Sequence, residues 1–297
     1  MRENLQDIKI QHLPGFSTQE VSVDILRLDL LHPVVSGNKW FKLQYYLQDA
    51  IATGKNTIAS FGGAYSNHIA ATAYAAREAG LKSIGYIRGE RGVELSPTLL
   101  NAMNYGMELV FVDRTLYRKK EKNIISQNNN TNIYWIMEGG YGMLGAKGAS
   151  DILTVTDTSQ YSHILCAVGT GTMMAGLIKT ALPQQELIGI SVLKNNPELE
   201  NEVCSLLNSD ENKKPFSILH GYHFGGYAKH PAALIQFMKE TWQAENLPTD
   251  IVYTSKLLFA AKDLIAVDQF LPGSRVLLIH SGGLQGNQSL PFNTLPF

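Results

Sequence analysis

Short apolar runs of strand length alternate with Ala- and Leu-rich segments of helix length along most of this 297-residue chain. The runs lack strict alternation of apolar and polar residues, which is typical of strands covered on both faces. The order strand, helix, strand predicts an α/β fold with parallel sheets and right-handed crossovers. Helical segments include NHIAATAYAAREAG and LLFAAKDLIAVDQF. The predicted strands are TIASF (57–61), KSIGYI (82–87), ELVFVD (108–113), NIYWIM (132–137), HILCAV (163–168), LIGISVL (187–193) and RVLLIH (275–280).

Length and charge limit the classes of protein that fit. A chain of this length forms one large domain or two ordinary ones. The net charge of -1 and the pI of about 6.7 give no electrostatic footprint for nucleic acid and no polybasic patch for a membrane. The basic segment RKKEK (118–122) is interpreted as a solvated helix face.

Targeting and ligand signals favour a cytoplasmic protein without a metal site. The first ten residues, MRENLQDIKI, are polar and contain no apolar signal-peptide core. No window reaches the roughly 18 consecutive apolar residues of a membrane span. Cys166 and Cys204 do not make a disulfide framework. The eight histidines lack H-E-x-x-H or other metal-ligand spacing.

Two lysines follow a Ser-Gly-Asn turn in SGNKWFKL, residues 36–43. Lys39 and Lys42 are separated by one helical turn, so they can face the same side of a helix. They are either solvated cations at an ordinary helix start, or one of them is a catalytic amine. The segment alone does not decide between these interpretations.

The strand end SFGGAYSNH leads into an Ala-rich helix. Ser66 is a favoured N-cap, because its hydroxyl accepts a hydrogen bond from an otherwise unpaired backbone N–H. Ser66, Asn67 and His68 also place polar side chains and free amides at a positive helix terminus, where a carboxylate or phosphate can bind. This terminus lies at the carboxyl edge of the predicted sheet, where ligands of open α/β folds bind.

Two further strand ends are rich in glycine. HILCAV runs into Gly169, Thr170, Gly171 and Thr172, whose amides and hydroxyls can hold a phosphate at a helix start. The turn is not a Walker A loop and lacks G-x-G-x-x-G spacing. RVLLIH runs into a Ser-Gly-Gly turn at 281–283, which is either a plain turn or another side of the same pocket.

The combination describes an enzyme that uses pyridoxal phosphate. A lysine near the start would form a Schiff base with the cofactor aldehyde. A helix N-terminus would bind an anion, and the Gly/Thr turn would hold the phosphate.

Four segments in this order resemble the family of 1-aminocyclopropane-1-carboxylate deaminases and D-cysteine desulfhydrases: SGNKWFKL, GGAYSNH, GTGT and VYTSK. This family belongs to the tryptophan-synthase-β-like group, and the similarity runs over roughly residues 20–290. The resemblance implies two doubly wound parallel-sheet domains with the cofactor in the cleft between them. Residues 44–148 would form a small inserted domain, and residues 1–43 and 149–297 a large one. The resemblance also implies a homodimer.

The resemblance implies roles for the residues that would hold the cofactor. Lys39 matches the Schiff-base lysine, and Lys42 matches a lysine that pairs with the phosphate. The segment 169–172 matches the phosphate cup. Asn67 matches the residue that hydrogen bonds to the ring hydroxyl of pyridoxal phosphate.

The resemblance also implies a substrate site. Ser66, with the amides of Asn67 and His68, matches the carboxylate site, and Ser66 would also assist proton transfer. His68 stands where the deaminases commonly have a glutamine. Tyr227 and Tyr253 match tyrosines that approach the substrate, whereas the residues alone would indicate core or rim packing with a locally satisfied hydroxyl.

Thr254 is the position on which the expected reaction depends. The deaminases have a glutamate there, against the pyridine nitrogen, and a carboxylate would keep that nitrogen protonated. A neutral threonine favours β-elimination of the D-cysteine desulfhydrase kind, giving a keto acid, ammonia and, from cysteine, sulfide. Alternatives are deamination of 1-aminocyclopropane-1-carboxylate, a serine or threonine dehydratase, a β-replacement, or a binding protein for the cofactor or an amino acid without turnover.

Overall fold

The computed structural model describes residues 8–119, 121–211 and 214–297. Most of the polar N-terminal segment and Lys120 of the RKKEK segment lie outside the described residues. The strands are β1 (Ile10–His12), β2 (Ser22–Arg27), β3 (Thr57–Gly62), β4 (Lys82–Arg88), β5 (Met107–Val112), β6 (Ile133–Ile136), β7 (His163–Val168), β8 (Glu186–Ser191), β9 (Phe216–Leu219) and β10 (Arg275–His280). The helices are α1 (Asn38–Ala52), α2 (Asn67–Glu78), α3 (Pro97–Asn104), α4 (Arg114–Arg118), α5 (Met143–Ser150), α6 (Thr172–Thr180), α7 (Leu199–Cys204), α8 (Ala232–Glu245) and α9 (Thr254–Ala266).

Two sheets organise the chain. The six-stranded sheet has the order β1-β2-β10-β7-β8-β9, and only β1 is antiparallel to its neighbour. The four-stranded sheet has the order β5-β4-β3-β6 and is parallel throughout. The predicted α/β class with two parallel sheets is therefore confirmed.

Every predicted strand coincides with an observed one, but three observed strands were not predicted. β1 and β9 contain only three and four residues, too few for a clear apolar run. β2 contains Asp24 and Arg27, which are buried in spite of their charge. Asp24 accepts a hydrogen bond from Tyr161, and Arg27 pairs with Asp29, so both charges have partners.

The sheets occupy different parts of the sequence but share one core. All strands of the smaller sheet lie between residues 57 and 136, and those of the larger sheet come from both sides of that segment. Ile58 and Ile136 of the smaller sheet belong to the same buried cluster as Ile164 and Leu277 of the larger one. The predicted boundary at 43/44 falls inside α1, which runs unbroken across it. The domain boundaries at 43/44 and 148/149 stay a prediction.

Close helix packing fixes the position of α1. A Cβ added to Gly148 of α5 would lie 2.1 Å from the backbone oxygen of Phe41 in α1. A Cβ added to Gly176 of α6 would lie 2.4 Å from the Cβ of Ala149. The glycines therefore let three helices approach closely, and α1 carries Lys39 and Lys42 in its first turns. No helix of the described residues is both long and apolar enough to cross a bilayer.

Candidate active site

The Ser-Gly-Asn turn before α1 packs against the Ser-Gly-Gly turn after β10. The N–H of Asn38 donates to the backbone oxygen of Ser281 at 3.0 Å. Gly37 has a φ of 64°, and a Cβ there would lie 1.8 Å from the same oxygen. Only glycine fits this position, because it needs both the left-handed backbone and the missing side chain. The contact brings the start of α1 to the carboxyl edge of the larger sheet.

Both lysines of α1 lie inside the protein without a carboxylate partner among the described residues. Lys39 is half-buried, its Nζ donates to Asn38 Oδ1 at 3.1 Å, and burial lowers its pKa to about 8. Lys42 is 3% exposed, and its Nζ contacts the backbone oxygen of Gly139 at 3.4 Å. Burial, and then the charge of Lys39, lowers the pKa of Lys42 well below its usual range. Two adjacent buried amines without a counter-charge are a favourable place for an anion.

The start of α2 supplies polar groups to the same region. Ser66 is the N-cap, and its Oγ accepts from the N–H of Ile69 at 3.3 Å, as predicted. The Nδ2 of Asn67 donates to the backbone oxygen of Gly283 at 3.0 Å. The Oδ1 of Asn67 is buried and has no partner among the described residues. A buried acceptor without a donor is costly, and a ligand hydroxyl would satisfy it.

His68 points toward the sheet and not toward solvent. Its Nε2 lies 2.8 Å from Ser60 Oγ, and that hydroxyl donates to the backbone oxygen of Ile136. Its Nδ1 is buried without a partner in the described part of the chain. Burial, with the charges of Lys39 and Lys42, lowers the pKa of His68 well below its usual range. His68 is therefore a neutral ring, and its predicted contribution to a carboxylate site rests on its backbone amide.

The Gly/Thr turn forms the start of α6. Gly171 is the N-cap residue, with a φ of 77°. The hydroxyl oxygens of Thr170 and Thr172 lie 3.0 Å apart, and Thr172 is fully buried. A Cβ on Gly169 would lie 3.2 Å from the Tyr253 ring. The turn thus presents backbone and hydroxyl donors at a helix N-terminus, as a phosphate site requires.

Two adjoining cavities connect these groups. A small inner cavity of about 50 Å³ and a larger, more open outer cavity of about 430 Å³ share a wall. The residues common to both are Lys39, Asn67, Gly139, Gly169, Thr170 and Tyr253. The inner cavity also contacts Lys42, Gly171 and the Ser-Gly-Gly turn, and the outer cavity contacts Ser66 and His68. The predicted lysine, anion and glycine segments therefore meet in one place.

The two predicted tyrosines line the outer cavity. The rings of Tyr227 and Tyr253 meet edge to face, with centroids 6.3 Å apart. Tyr253 is half-buried, and burial raises the pKa of its hydroxyl well above the usual value. Tyr227 is 43% exposed and lies nearer to solvent. Both hydroxyls are neutral near pH 7 and hydrogen bond to each other, so the pair keeps one O–H that can donate into the cavity.

Thr254 lies behind the site, outside the residues that line the two cavities. Its Oγ1 donates to Oδ1 of Asp250 at 2.8 Å and accepts from the N–H of Asp250 at 2.7 Å. Asp250 is fully buried and also accepts from the N–H groups of Val252, Tyr253 and Thr254. Asp250 thus satisfies the backbone N–H groups at the start of α9 and supports Tyr253 from behind.

A fourth glycine-rich strand end was not predicted. Gly139 and Gly140 follow β6, have φ values of 69° and 73°, and pack against Thr170 and Lys42. The segment EGGYG (138–142), directly after NIYWIM, would have indicated this wall by the reasoning used for the other strand ends. Arg88 and Glu138, at the ends of β4 and β6, also line the outer cavity.

These residues fit pyridoxal phosphate. Lys42 and the 169–172 turn would hold the phosphate, Lys39 would bind the aldehyde carbon, and the unpaired Oδ1 of Asn67 would accept from the ring hydroxyl. The fit depends on two amines that have no carboxylate partner among the described residues and on the buried Asn67 Oδ1, which has no hydrogen-bond partner there.

A family model described as pyridoxal-phosphate dependent enzyme matches residues 3–282. The chain belongs to this family. A relative from Thermotoga maritima, provisionally named 1-aminocyclopropane-1-carboxylate deaminase, is 30% identical over 95% of this chain and 96% of its own length. A relative from Pyrococcus abyssi with the same provisional name is 28% identical over 93% of this chain and 89% of its own length. A D-cysteine desulfhydrase from Yersinia pestis is 25% identical over 93% of this chain and 90% of its own length.

Solved structures share the fold. A structure described as an ACC deaminase homologue matches with a TM-score of 0.79 and 24% identity, covering 97% of each chain. An L-serine ammonia-lyase from Rhizomucor miehei matches with a TM-score of 0.69 and 14% identity, covering 93% of each. The predicted family and cofactor are confirmed: the protein is a pyridoxal-phosphate dependent enzyme of the ACC deaminase and D-cysteine desulfhydrase type. The homodimer, the cytoplasmic location and the role of each site residue stay predictions.

Proposed function

We propose that the protein catalyses β-elimination from a small amino acid in the manner of a D-cysteine desulfhydrase. The amino acid and one water would give a 2-keto acid, ammonia and the protonated leaving group, which is hydrogen sulfide for cysteine. The observation that carries this proposal is the composition of the inner cavity. Among the described residues, no Asp or Glu lines it.

The missing carboxylate bears on the reaction. Pyridoxal phosphate, when bound, supplies the electron sink that makes the α-hydrogen of the substrate acidic. Among the described residues, the inner cavity has no acid to keep the ring nitrogen protonated, and the acids Glu138 and Glu202 line only the outer cavity. Thr254 offers a hydroxyl that Asp250 already engages. This chain therefore supports the expulsion of a good leaving group better than the opening of a cyclopropane ring.

Lys39 is suited to move the α-proton. Its amine lines both cavities, so it can reach the cofactor and the substrate. A pKa of about 8 places a substantial neutral fraction near physiological pH, as a general base requires. The α2 N-terminus would bind the substrate carboxylate through the Ser66 hydroxyl and the amides of Asn67 and His68.

The tyrosines face the position of the leaving group. Tyr253 and Tyr227 line the outer cavity beside Lys39 and hold neutral hydroxyls there. The pair can donate a hydrogen bond to a departing thiolate or alkoxide, which lowers the barrier to its departure.

The second candidate is deamination of 1-aminocyclopropane-1-carboxylate, supported by the names of relatives at 28–30% identity. A substrate panel separates the two. Purified enzyme is incubated with D-cysteine, L-cysteine, D-serine and 1-aminocyclopropane-1-carboxylate, and sulfide, ammonia and keto acid are measured. We expect sulfide and pyruvate from D-cysteine to dominate. Faster ammonia release from the cyclopropane substrate would establish the deaminase, and absorbance shifts without keto acid would indicate a binding protein.

A lysine variant tests the assignment of the base. Lys39→Ala should lose both turnover and the yellow colour of the bound cofactor while keeping its far-UV circular dichroism. Lys82→Ala changes an exposed lysine at the start of β4 and should keep all three properties. Turnover of Lys39→Ala at the rate of the unmodified enzyme would refute the role of Lys39.

A further inference from the structure

Arg88 places a cation at the mouth of the outer cavity. It is the last residue of β4 and lines that cavity together with Lys39 and Tyr227. Its guanidinium carbon lies 5.9 Å from the centroid of the Tyr117 ring. One terminal nitrogen lies 3.5 Å from the position that a Cβ on Gly63 would occupy. The guanidinium therefore extends over the loop that leads from β3 into α2.

Arg88 has no ion-pair partner among the described residues. Three other arginines do: Arg27 pairs with Asp29 at 2.7 Å, Arg77 with Glu78 at 2.9 Å, and Arg275 with Asp24 at 3.6 Å. A guanidinium that faces a cavity with its donors free is suited to bind a carboxylate or phosphate, since both match its fork geometry.

Charge is distributed unevenly around the cavity. Arg88 ends β4 and Glu138 follows β6, the two strands that flank β3. Both reach Tyr117, whose ring lies under the Arg88 guanidinium and whose hydroxyl hydrogen bonds to Glu138, and Glu202 is a second acid of the cavity lining. The α2 N-terminus, which begins after Ser66 beyond β3, adds positive potential beside Arg88. An anion on the β4 side is attracted by both, whereas an anion near Glu138 would be repelled.

We propose that Arg88 binds a second anionic group, carried by the side chain of the substrate. The preferred substrates would be amino acids whose β-substituent ends in a carboxylate or a phosphate. This proposal rests on the proposed function, because it places the leaving group at the mouth of the cavity. Arg88 and Tyr227 are both exposed, which supports that position, since the distal end of a bound substrate would face the opening.

Matched esters test the proposal directly. O-acetylserine and O-succinylserine break the same Cβ–O bond and release a carboxylic acid, but only the second has a distal carboxylate. Each enantiomer is assayed with the unmodified enzyme, Arg88→Gln and Arg91→Gln, which changes an exposed neighbour outside the cavity. We expect Arg88→Gln to lower kcat/KM for O-succinylserine by about tenfold or more. Its kcat/KM for O-acetylserine should stay within about twofold. O-phosphoserine is assayed in the same way to test a substrate whose side chain ends in a phosphate.

Equal losses for both esters in Arg88→Gln would overturn the proposal, because Arg88 would then act on the α-carboxylate or on the fold. The proposal would also be overturned if the unmodified enzyme preferred O-acetylserine to O-succinylserine. The same holds if the enzyme preferred substrates with a cationic side chain and Glu138→Gln abolished that preference.

A binding measurement keeps this proposal separate from the proposed function. Glutamate and 2-aminobutyrate are titrated against each holoenzyme, and the change in visible absorbance gives their Kd values. Arg88→Gln should weaken glutamate selectively, and equal weakening of the two ligands would refute the assignment. If neither the esters nor D-cysteine eliminate, the proposed function fails, while the titration still decides whether Arg88 binds a side-chain anion.

Discussion

The buried amine of Lys256 donates a 2.8 Å hydrogen bond to the backbone oxygen of Gly226, the residue before Tyr227. A second bond, of 3.0 Å, goes to the backbone oxygen of His223. Lys256 lies in α9, whose capping residue is Tyr253. One side chain therefore connects the helix that follows Tyr253 to the loop that carries Tyr227.

Replacement of Lys256 by methionine should disturb substrate binding more than cofactor binding. The variant leaves two backbone oxygens without their donor and should lower the free energy of unfolding by about 2 kcal/mol. Because Tyr227 is then less well positioned, KM should rise severalfold while the yellow cofactor band persists. Steady-state kinetics and denaturant unfolding measure both effects. Lys262→Met, an exposed change in the same helix, should leave both unchanged. A fall in kcat with KM unchanged would contradict the positioning role.

The pKa of Lys256 predicts a pH dependence of stability. Burial lowers its pKa in the folded protein to about 8, whereas the unfolded value is 10.5. Between these values the unfolded chain binds more protons, so this lysine makes the folded state more stable as pH rises. The slope is at most about 1.4 kcal/mol per pH unit. The difference in unfolding free energy between the unmodified protein and Lys256→Met should grow between pH 8 and pH 10.

The difference in unfolding free energy between the two proteins is measured because tyrosines and Cys166 also titrate between pH 8 and pH 10. Their contributions are the same in both proteins and cancel in the difference. Lys262→Met should show no such trend. A difference that is constant with pH would mean that Lys256 has the same pKa in the folded and unfolded states.

Gly148 should not tolerate alanine. Its added Cβ would lie 2.1 Å from the backbone oxygen of Phe41, so α1 and α5 would have to separate. Overpacking of this kind costs about 1–3 kcal/mol. We expect Gly148→Ala to unfold at lower denaturant concentration and to bind the cofactor more weakly, because α1 carries both lysines. Gly221→Ala, with no atom within 4 Å of the added Cβ, is the matched control. Equal midpoints for the two variants would contradict the packing account.

Strand ends with glycine were predictable because the signal lies within a few consecutive residues. The apolar runs HILCAV and RVLLIH each became a strand, and the turns after them meet the start of α1 at the inner cavity. Gly37 was part of a quoted motif, but its reason, the approach of the Ser281 backbone, appears only in three dimensions.

Side chains whose role depends on distant partners could not be predicted. The hydroxyl of Thr254 makes two hydrogen bonds with Asp250 that the sequence did not indicate, and the contact of Thr254 with the cofactor stays a prediction. Arg88 ends an ordinary strand, and only the sheet order places it beside α2. Lys256 is the last residue of the motif VYTSK, and the sequence did not indicate that this lysine is fully buried.

Covalent attachment of the cofactor should follow the pKa of Lys39. The neutral amine is the attacking form, and burial lowers its pKa from 10.5 to about 8. The rate at which apoprotein takes up pyridoxal phosphate should therefore rise as pH approaches 8 and level off above it. Stopped-flow absorbance at constant cofactor concentration measures this rate. A rate that keeps rising toward pH 10 would indicate an ordinary, solvated lysine.

Inorganic phosphate should bind the apoprotein through Lys42. Lys42 is a buried amine whose contact with the Gly139 oxygen is 3.4 Å long, and burial lowers its pKa well below the usual range. An anion at the 169–172 turn would supply the counter-charge that favours the protonated amine. Phosphate should raise the Tm of the unmodified apoprotein in a concentration-dependent way, since a ligand of the folded state stabilises it. Lys42→Met should lose this response, whereas Lys82→Met should retain it. Chloride at matched ionic strength controls for screening. A phosphate response that persists in Lys42→Met would show that the anion binds elsewhere and would remove Lys42 from the cofactor site.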